Sequence, residues 1–149
     1  MNLFGVMELS GTALKAERIR AELVAANMAN AETTRTQQGG PYQRQHVVFA
    51  ATAVESSNFG QVLTQQLGPG GRGPEGVEVA AVVADPGSPL RRYDPGHPDA
   101  DSNGYVNFPD INPMTEMVDL MGATRSYGLN ATAVQAEKGM LQSSIDLVK

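Results

Sequence analysis

Asp99, Asp101 and Asn103, with Gly104 at the sixth position and Asp110 at the twelfth, follow the order in which an EF-hand loop offers oxygen ligands to calcium, with Asp in place of the final Glu. Asp94 and His97 stand just upstream, so the same stretch could also supply a base with carboxylate partners or a small metal cluster. Either chemistry needs elements that hold the ligands around one point. Here the loop is entered through Tyr93-Asp94-Pro95-Gly96-His97-Pro98 and left through Pro109, so neither flanking helix of an EF-hand can form. The one other His, His46, stands beside Val47 in a strand-like run. The plainer reading is a polar turn in which Asn103-Gly104 provides the positive φ that opens a short strand, Tyr105 to Phe108. The expectation is therefore no catalytic residue, no metal and no cofactor. A calcium-binding interaction module using Asp99 to Asp110 is the alternative.

Composition narrows the classes further. A net charge of −5 lacks the basic stripe that a phosphate-backbone binder requires, and Arg91-Arg92 is the sole adjacent basic pair. The absence of Cys removes disulfides, thiolate metal sites and thiol nucleophiles. With 4 Phe, 4 Tyr and no Trp, any globular core is small. The first eight residues lack a charged leader region, and no apolar stretch approaches the length that spans a bilayer.

The elements that dominate the chain are at its two ends. Leu9, Thr12, Ala16, Ile19, Leu23, Ala26 and Asn30 step by alternating threes and fours, the spacing of a coiled-coil seam, and Ser10-Gly11 suggest its start. Leu14, Val24 and Met28 make a second apolar flank that a single partner helix would leave wet. After Pro113 the same alternation runs through Met117, Leu120, Thr124, Tyr127, Ala131, Val134, Lys138, Leu141, Ile145 and Val148. Met114, Met117, Met121 and Met140 suit a helix that meets several different neighbours.

Between the helices, Gln43 to Val54, Val77 to Ala84 and Gly104 to Phe108 read as strands, three or four in all. A Gly/Pro-rich stretch at about 58–76 reads as a mobile loop. The expected fold is α+β: long N- and C-terminal helices forming a coiled-coil-like pair, with a small β-rich domain between them. The expected boundaries are 1–35 for the N-terminal helix, 36–112 for the β-rich domain and 113–149 for the C-terminal helix. Burial of the two seams against each other falls short of the cost of ordering so much helix, so these ends are expected to be largely unfolded or loosely paired in the free chain and to order on packing into a many-chain array.

Ala26-Asn27-Met28-Ala29-Asn30-Ala31-Glu32-Thr33 resembles the Asn-Leu-Ala-Asn motif of the flagellar rod, hook and hook-associated axial proteins, with Met28 in place of Leu. The likeness continues through Pro41 to Phe49, Gly76 to Val79, Tyr93 to Asp101, Gly104 to Val106 and Glu116 to Asn130, so it spans the chain. It implies a non-enzymatic structural subunit of the basal-body rod, exported without a cleaved signal and assembled in the periplasm. Its terminal helices would form an inner tube. The implied partners are copies of itself, the rod proteins FlgB, FlgF and FlgG, and the junction protein FliE, arranged as a helical oligomer. The implied assembly interface comprises Leu9, Ala16, Ile19, Leu23, Asn27, Met28 and Asn30 on the first helix, and Met117, Leu120, Tyr127, Asn130, Val134, Leu141 and Ile145 on the second.

Overall fold

The computed structural model describes residues 3–53 and 75–147. Helix α1 spans Leu3–Ala29 and helix α2 spans Pro113–Asp146. Four strands lie between them among the described residues: β1 Gln45–Ala53, β2 Glu75–Ala84, β3 Leu90–Tyr93 and β4 Tyr105–Phe108. This is the expected α+β arrangement, two long terminal helices around a small set of antiparallel strands. The stretch expected as a mobile loop falls, but for its last two residues, outside the described residues. Those two, Glu75 and Gly76, begin β2.

The start of α1 differs from expectation. Ser10 and Gly11 do not open the helix; Ser10 is buried in its interior and the chain is already helical from Leu3. A cap preference is worth about 1 kcal/mol, and burial of an extended helical face outweighs it. The start of α2 follows local chemistry: Asn112 accepts the Met114 N–H at 3.0 Å and Pro113 occupies the first turn.

The helices run antiparallel. Asn27 near the end of α1 meets Glu116 near the start of α2, and Arg20, two turns back, meets Asp119. On its other side α1 carries the β1–β2 ribbon. Thr12 ties the two together, donating to the Leu9 carbonyl at 2.8 Å and accepting the Val77 N–H at 3.3 Å. A Cβ on Gly76 would stand 3.1 Å from the Thr12 hydroxyl oxygen, so the absent side chain permits this close approach. The second apolar flank of α1 thus finds its extra neighbour within the same chain: Val24 is buried, sharing a cleft with Val47 and Phe49 of β1. In the ribbon, Val48 pairs with Ala81 and Phe49 with Val79, which leaves Ala80 unpaired as a bulge. Such a bulge adds twist.

The short β3–β4 hairpin holds a separate small cluster. Val106, Phe108 and Ile111 are buried beneath it, while Arg92 lies 3.9 Å over the Phe108 ring and Tyr93 meets Tyr105 edge-on at 5.4 Å. Gly104 at its turn has φ +78°, and a Cβ there would fall 2.9 Å from the Tyr93 ring. Only Gly suits that position. Every residue of β3 is exposed, so its sequence carries no in-out alternation by which it could be recognised.

Candidate assembly interface

The helix pair buries an unusual set of side chains. On α2 the buried residues are Glu116, Ala123 and Glu137, with Leu120, Asn130, Val134 and Leu141 half-buried. Glu116, Ala123, Asn130 and Glu137 are seven residues apart, and they stand one position before Met117, Thr124, Ala131 and Lys138 of the expected seam. The side of α2 that faces α1 is therefore rotated by about a third of a turn at those positions, since one residue is about 100° of helix. Met117, expected inside, is half exposed, and Tyr127 and Ile145 are exposed as well.

The cause of the rotation is a polar clasp at the junction of α1, β1 and α2. The Glu116 side chain is 1% exposed. One of its oxygens, Oε1, accepts from Arg44 Nε at 2.7 Å, and the other, Oε2, accepts from Asn27 Nδ2 at 3.1 Å. Arg44 and Arg20 both also approach Asp119, each at 3.6 Å. A carboxylate this deeply buried requires a cation and hydrogen-bond donors, and both are supplied. Glu116 in turn raises the pKa of the Arg44 guanidinium, chiefly through their hydrogen bond.

Asn27 completes the clasp. Its Nδ2 also donates to the Gln45 carbonyl at 2.7 Å while its Oδ1 accepts the Gln45 N–H at 3.0 Å, so the amide pairs with β1 as a neighbouring strand would. The Tyr42 hydroxyl donates to the same Oδ1 at 3.2 Å, and burial, then the charge of Glu116, raises its pKa and keeps it protonated. Asn30 works locally: it donates to the Ala26 carbonyl at 2.9 Å and accepts from Thr33 at 3.1 Å. The two motif asparagines thus do different jobs. Ala16 is buried in α1, while Leu9, Ile19, Leu23 and Met28 are half-buried on it.

Beside the clasp an open cleft of about 320 Å³ lies between α1, the start of α2 and β1. Its polar lining is the paired arginines and carboxylates with Asn27, Gln45 and His46, and among the described residues it holds no Ser, Thr, Tyr or Lys that the His46 imidazole could activate.

The acidic loop from Asp99 to Asp110 spends its leading carboxylates on partners within the chain. Asp101 Oδ1 accepts the Asn103 and Tyr105 N–H groups at 2.8 and 2.9 Å, and Arg91 bonds its other oxygen at 3.0 Å. These bonds, the Tyr105 N–H first, hold the Asp101 carboxyl below the ordinary carboxylate range. Asp99 Oδ2 accepts from Thr34 at 2.8 Å, and His97 Nδ1 accepts the Asp99 N–H at 3.1 Å. Among the described residues no group of three or more His, Asp or Glu could hold a metal ion. Addition of millimolar calcium is expected to leave the thermal unfolding midpoint unchanged within about 1 °C; a rise of several degrees would restore the calcium reading.

What remains outside the folded chain is an apolar surface on α2. Met114, Val118, Met121 and Leu129 are each exposed by 65–72%. Soluble monomers seldom leave so many large apolar side chains on one helix uncovered.

The sequence is similar to known proteins along its whole length. Residues 102–147 match the family described as "Flagellar basal body rod FlgEFG protein C-terminal". Over the whole chain, the sequence is 37% identical to the flagellar basal-body rod protein FlgC of Bacillus subtilis across 153 aligned residues covering all of that protein. It is 38% identical to FlgC of Borreliella burgdorferi, covering 99% of it, and 33% identical to FlgC of Salmonella typhimurium, covering 98% of it. With end-to-end relatives above 30% identity, the chain belongs to the FlgC family of flagellar basal-body rod proteins.

Proposed function

We propose that this chain is a structural, non-enzymatic subunit of the proximal rod of the flagellar basal body, polymerising through its terminal helices into the hollow drive shaft. The observation that carries this reading is the inverted pattern of α2, which turns Glu116 and Glu137 inward and Met114, Met117, Val118 and Met121 outward. A helix so arranged is incomplete alone. It gains by covering its outer face with other chains, at ~1.5–3 kcal/mol for each large apolar side chain fully buried.

The proposed interface has two parts. Leu9, Ala16, Ile19, Leu23, Asn27, Met28, Asn30, Leu120, Asn130, Val134 and Leu141 build the helix pair within one subunit. Met117, Tyr127 and Ile145 join Met114, Val118 and Met121 in reaching other subunits. Head-to-tail contacts between unlike surfaces generate open helical assemblies, which suits a shaft. Copies of this chain, FlgB, FlgF, FlgG and FliE are the proposed neighbours, and the rod is placed in the periplasm, reached without a cleaved signal.

An epitope-tagged chain is expected to copurify with detergent-extracted basal bodies and to resist salt extraction. Recovery only in soluble fractions, from cells that swim on the tagged copy alone, would overturn the reading.

A further inference from the structure

Helix α2 carries two stripes that could face α1. The one in use is centred on Glu116, Ala123, Asn130 and Glu137, with Asp119 and Leu120 half-buried on either side of it. The other is the heptad seam, centred between Met117, Thr124, Ala131 and Lys138 on one hand and Leu120, Val134 and Leu141 on the other. Passing from the first to the second is a roll of α2 by about 75°, less than the 100° between neighbouring residues.

The stripe in use is satisfied at one end and not at the other. Glu116 has Arg44 and Asn27. Glu137 stands 21 residues further on, about 32 Å along α2 and level with Val6 of α1. It is 4% exposed, and its Oε2 has no hydrogen-bond donor among the described residues. From Leu3 to Leu14, α1 bears a single charged side chain, Glu8, which is an anion as well. A carboxylate buried without a partner works against the packing that buries it. Rolling α2 toward the Met117 seam relieves this: Glu137 turns toward water, and Lys138 moves inward on a stem long enough to carry its ammonium out. The clasp opposes the roll, because Glu116 would have to leave both of its partners.

We infer that α2 has two registers against α1 and that the clasp of Glu116, Arg44 and Asn27 selects between them. With the clasp closed the methionines are held outward; with it open α2 rolls and buries Met117 against α1 of the same chain. Specifying one packing over a competing one is the best-attested use of a buried polar group. Arg44 stands one residue before β1, so the clasp closes only once the ribbon has docked on α1. The outward face of α2 is therefore offered only by a chain whose middle has folded. That consequence for assembly rests on the rod-subunit reading above, whereas the two registers are a property of the single chain.

Oxidation of the purified full chain by hydrogen peroxide tests the registers with methionines already present. Met117 and Met140 are 50% and 53% exposed, and Met140 lies on the flank that the roll carries away from α1. Peroxide transfers one oxygen to each thioether, leaving a sulfoxide and water, and mass spectrometry reads the two rates. In the wild-type chain they are expected to agree within about twofold. Arg44→Met is expected to slow Met117 relative to Met140 by about fivefold or more, with the helix content seen by far-ultraviolet circular dichroism unchanged. The double variant R44M/E116Q leaves no charge to expel and is expected to return the ratio to its wild-type value. R44M/E137L replaces the unpartnered carboxylate by an apolar side chain and is expected to return most of it. An unchanged ratio in R44M, or no return in either double variant, would mean that the clasp does not set the register, and would overturn the inference. Loss of helix with both methionines oxidised faster would overturn it too, since the clasp would then hold the pair closed rather than choose its face. Failure of the rod-subunit reading shows elsewhere, as absence of the wild-type chain from basal bodies, and leaves these rates untouched.

Discussion

Met117→Glu is expected to abolish incorporation into the rod while leaving the subunit folded. Met117 is half exposed on the outer side of α2, away from the Glu116, Ala123, Glu137 stripe that faces α1, so the carboxylate can remain in water in the free chain. The cost to folding is within about 0.5 kcal/mol, the usual range for an exposed position. In the assembled rod the same carboxylate would be trapped against apolar side chains with no cation assigned to it. A penalty of ~3 kcal/mol or more per contact is expected there, about a hundredfold in each association constant. The check pairs thermal unfolding of the purified chain with immunoblots of basal bodies and a motility assay. Normal swimming with the variant present in basal bodies at wild-type level would show that this face is not an interface.

Arg44→Met tests the clasp inside the subunit and has the larger effect on stability. It removes the cation from Glu116, whose side chain is 1% exposed and cannot turn to water. Breaking a buried pair from one side costs ~3–5 kcal/mol; Arg44 itself is 29% exposed, which brings the expected loss down to about 2–3 kcal/mol. The double variant R44M/E116Q removes the stranded charge and keeps an amide able to accept from Asn27. It is expected to recover at least half of the loss. Urea unfolding at neutral pH measures both, and a double-mutant cycle isolates the coupling. A change below about 0.5 kcal/mol for R44M would mean that the Glu116 charge is not held by Arg44. Since the clasp joins α1, β1 and α2, the same variant is expected to lower rod incorporation as well, through misplacement of α2 rather than loss of a contact.

These two residues, 117 and 116, also show where the sequence could and could not be read. Heptad spacing identified α2 and its start after Pro113, because a long amphipathic period and a proline in the first turn are local signals. The same spacing assigned Met117 to the seam on its hydrophobicity. The structure turns Glu116 inward instead, because Arg44, 72 residues away, and Asn27, 89 residues away, together satisfy its charge and its lone pairs. No local pattern carries that information. A buried Glu with remote partners looks, in sequence, like any solvent-facing Glu on a helix.

Asn27 stood out by the motif it resembles, yet that motif does not say what the side chain holds. Its short amide closes on both backbone groups of Gln45, a pairing visible only once β1 lies against the end of α1. Strands β1, β2 and β4 were legible from β-branched runs and alternation. Strand β3 was not, since all four of its residues face solvent.

Two long terminal helices around a small β region, the polar turn at Asp99 to Gly104 and the family resemblance are all legible in the chain, because each rests on periodicity, turn chemistry or ordered motifs along it. Which side of α2 faces α1, what Asn27 holds and the outward placement of the α2 methionines are seen in the folded chain alone. Those outcomes depend on Arg44 and Asn27, 72 and 89 residues from Glu116, whose charge and hydrogen bonds offset the cost of taking its carboxylate out of water.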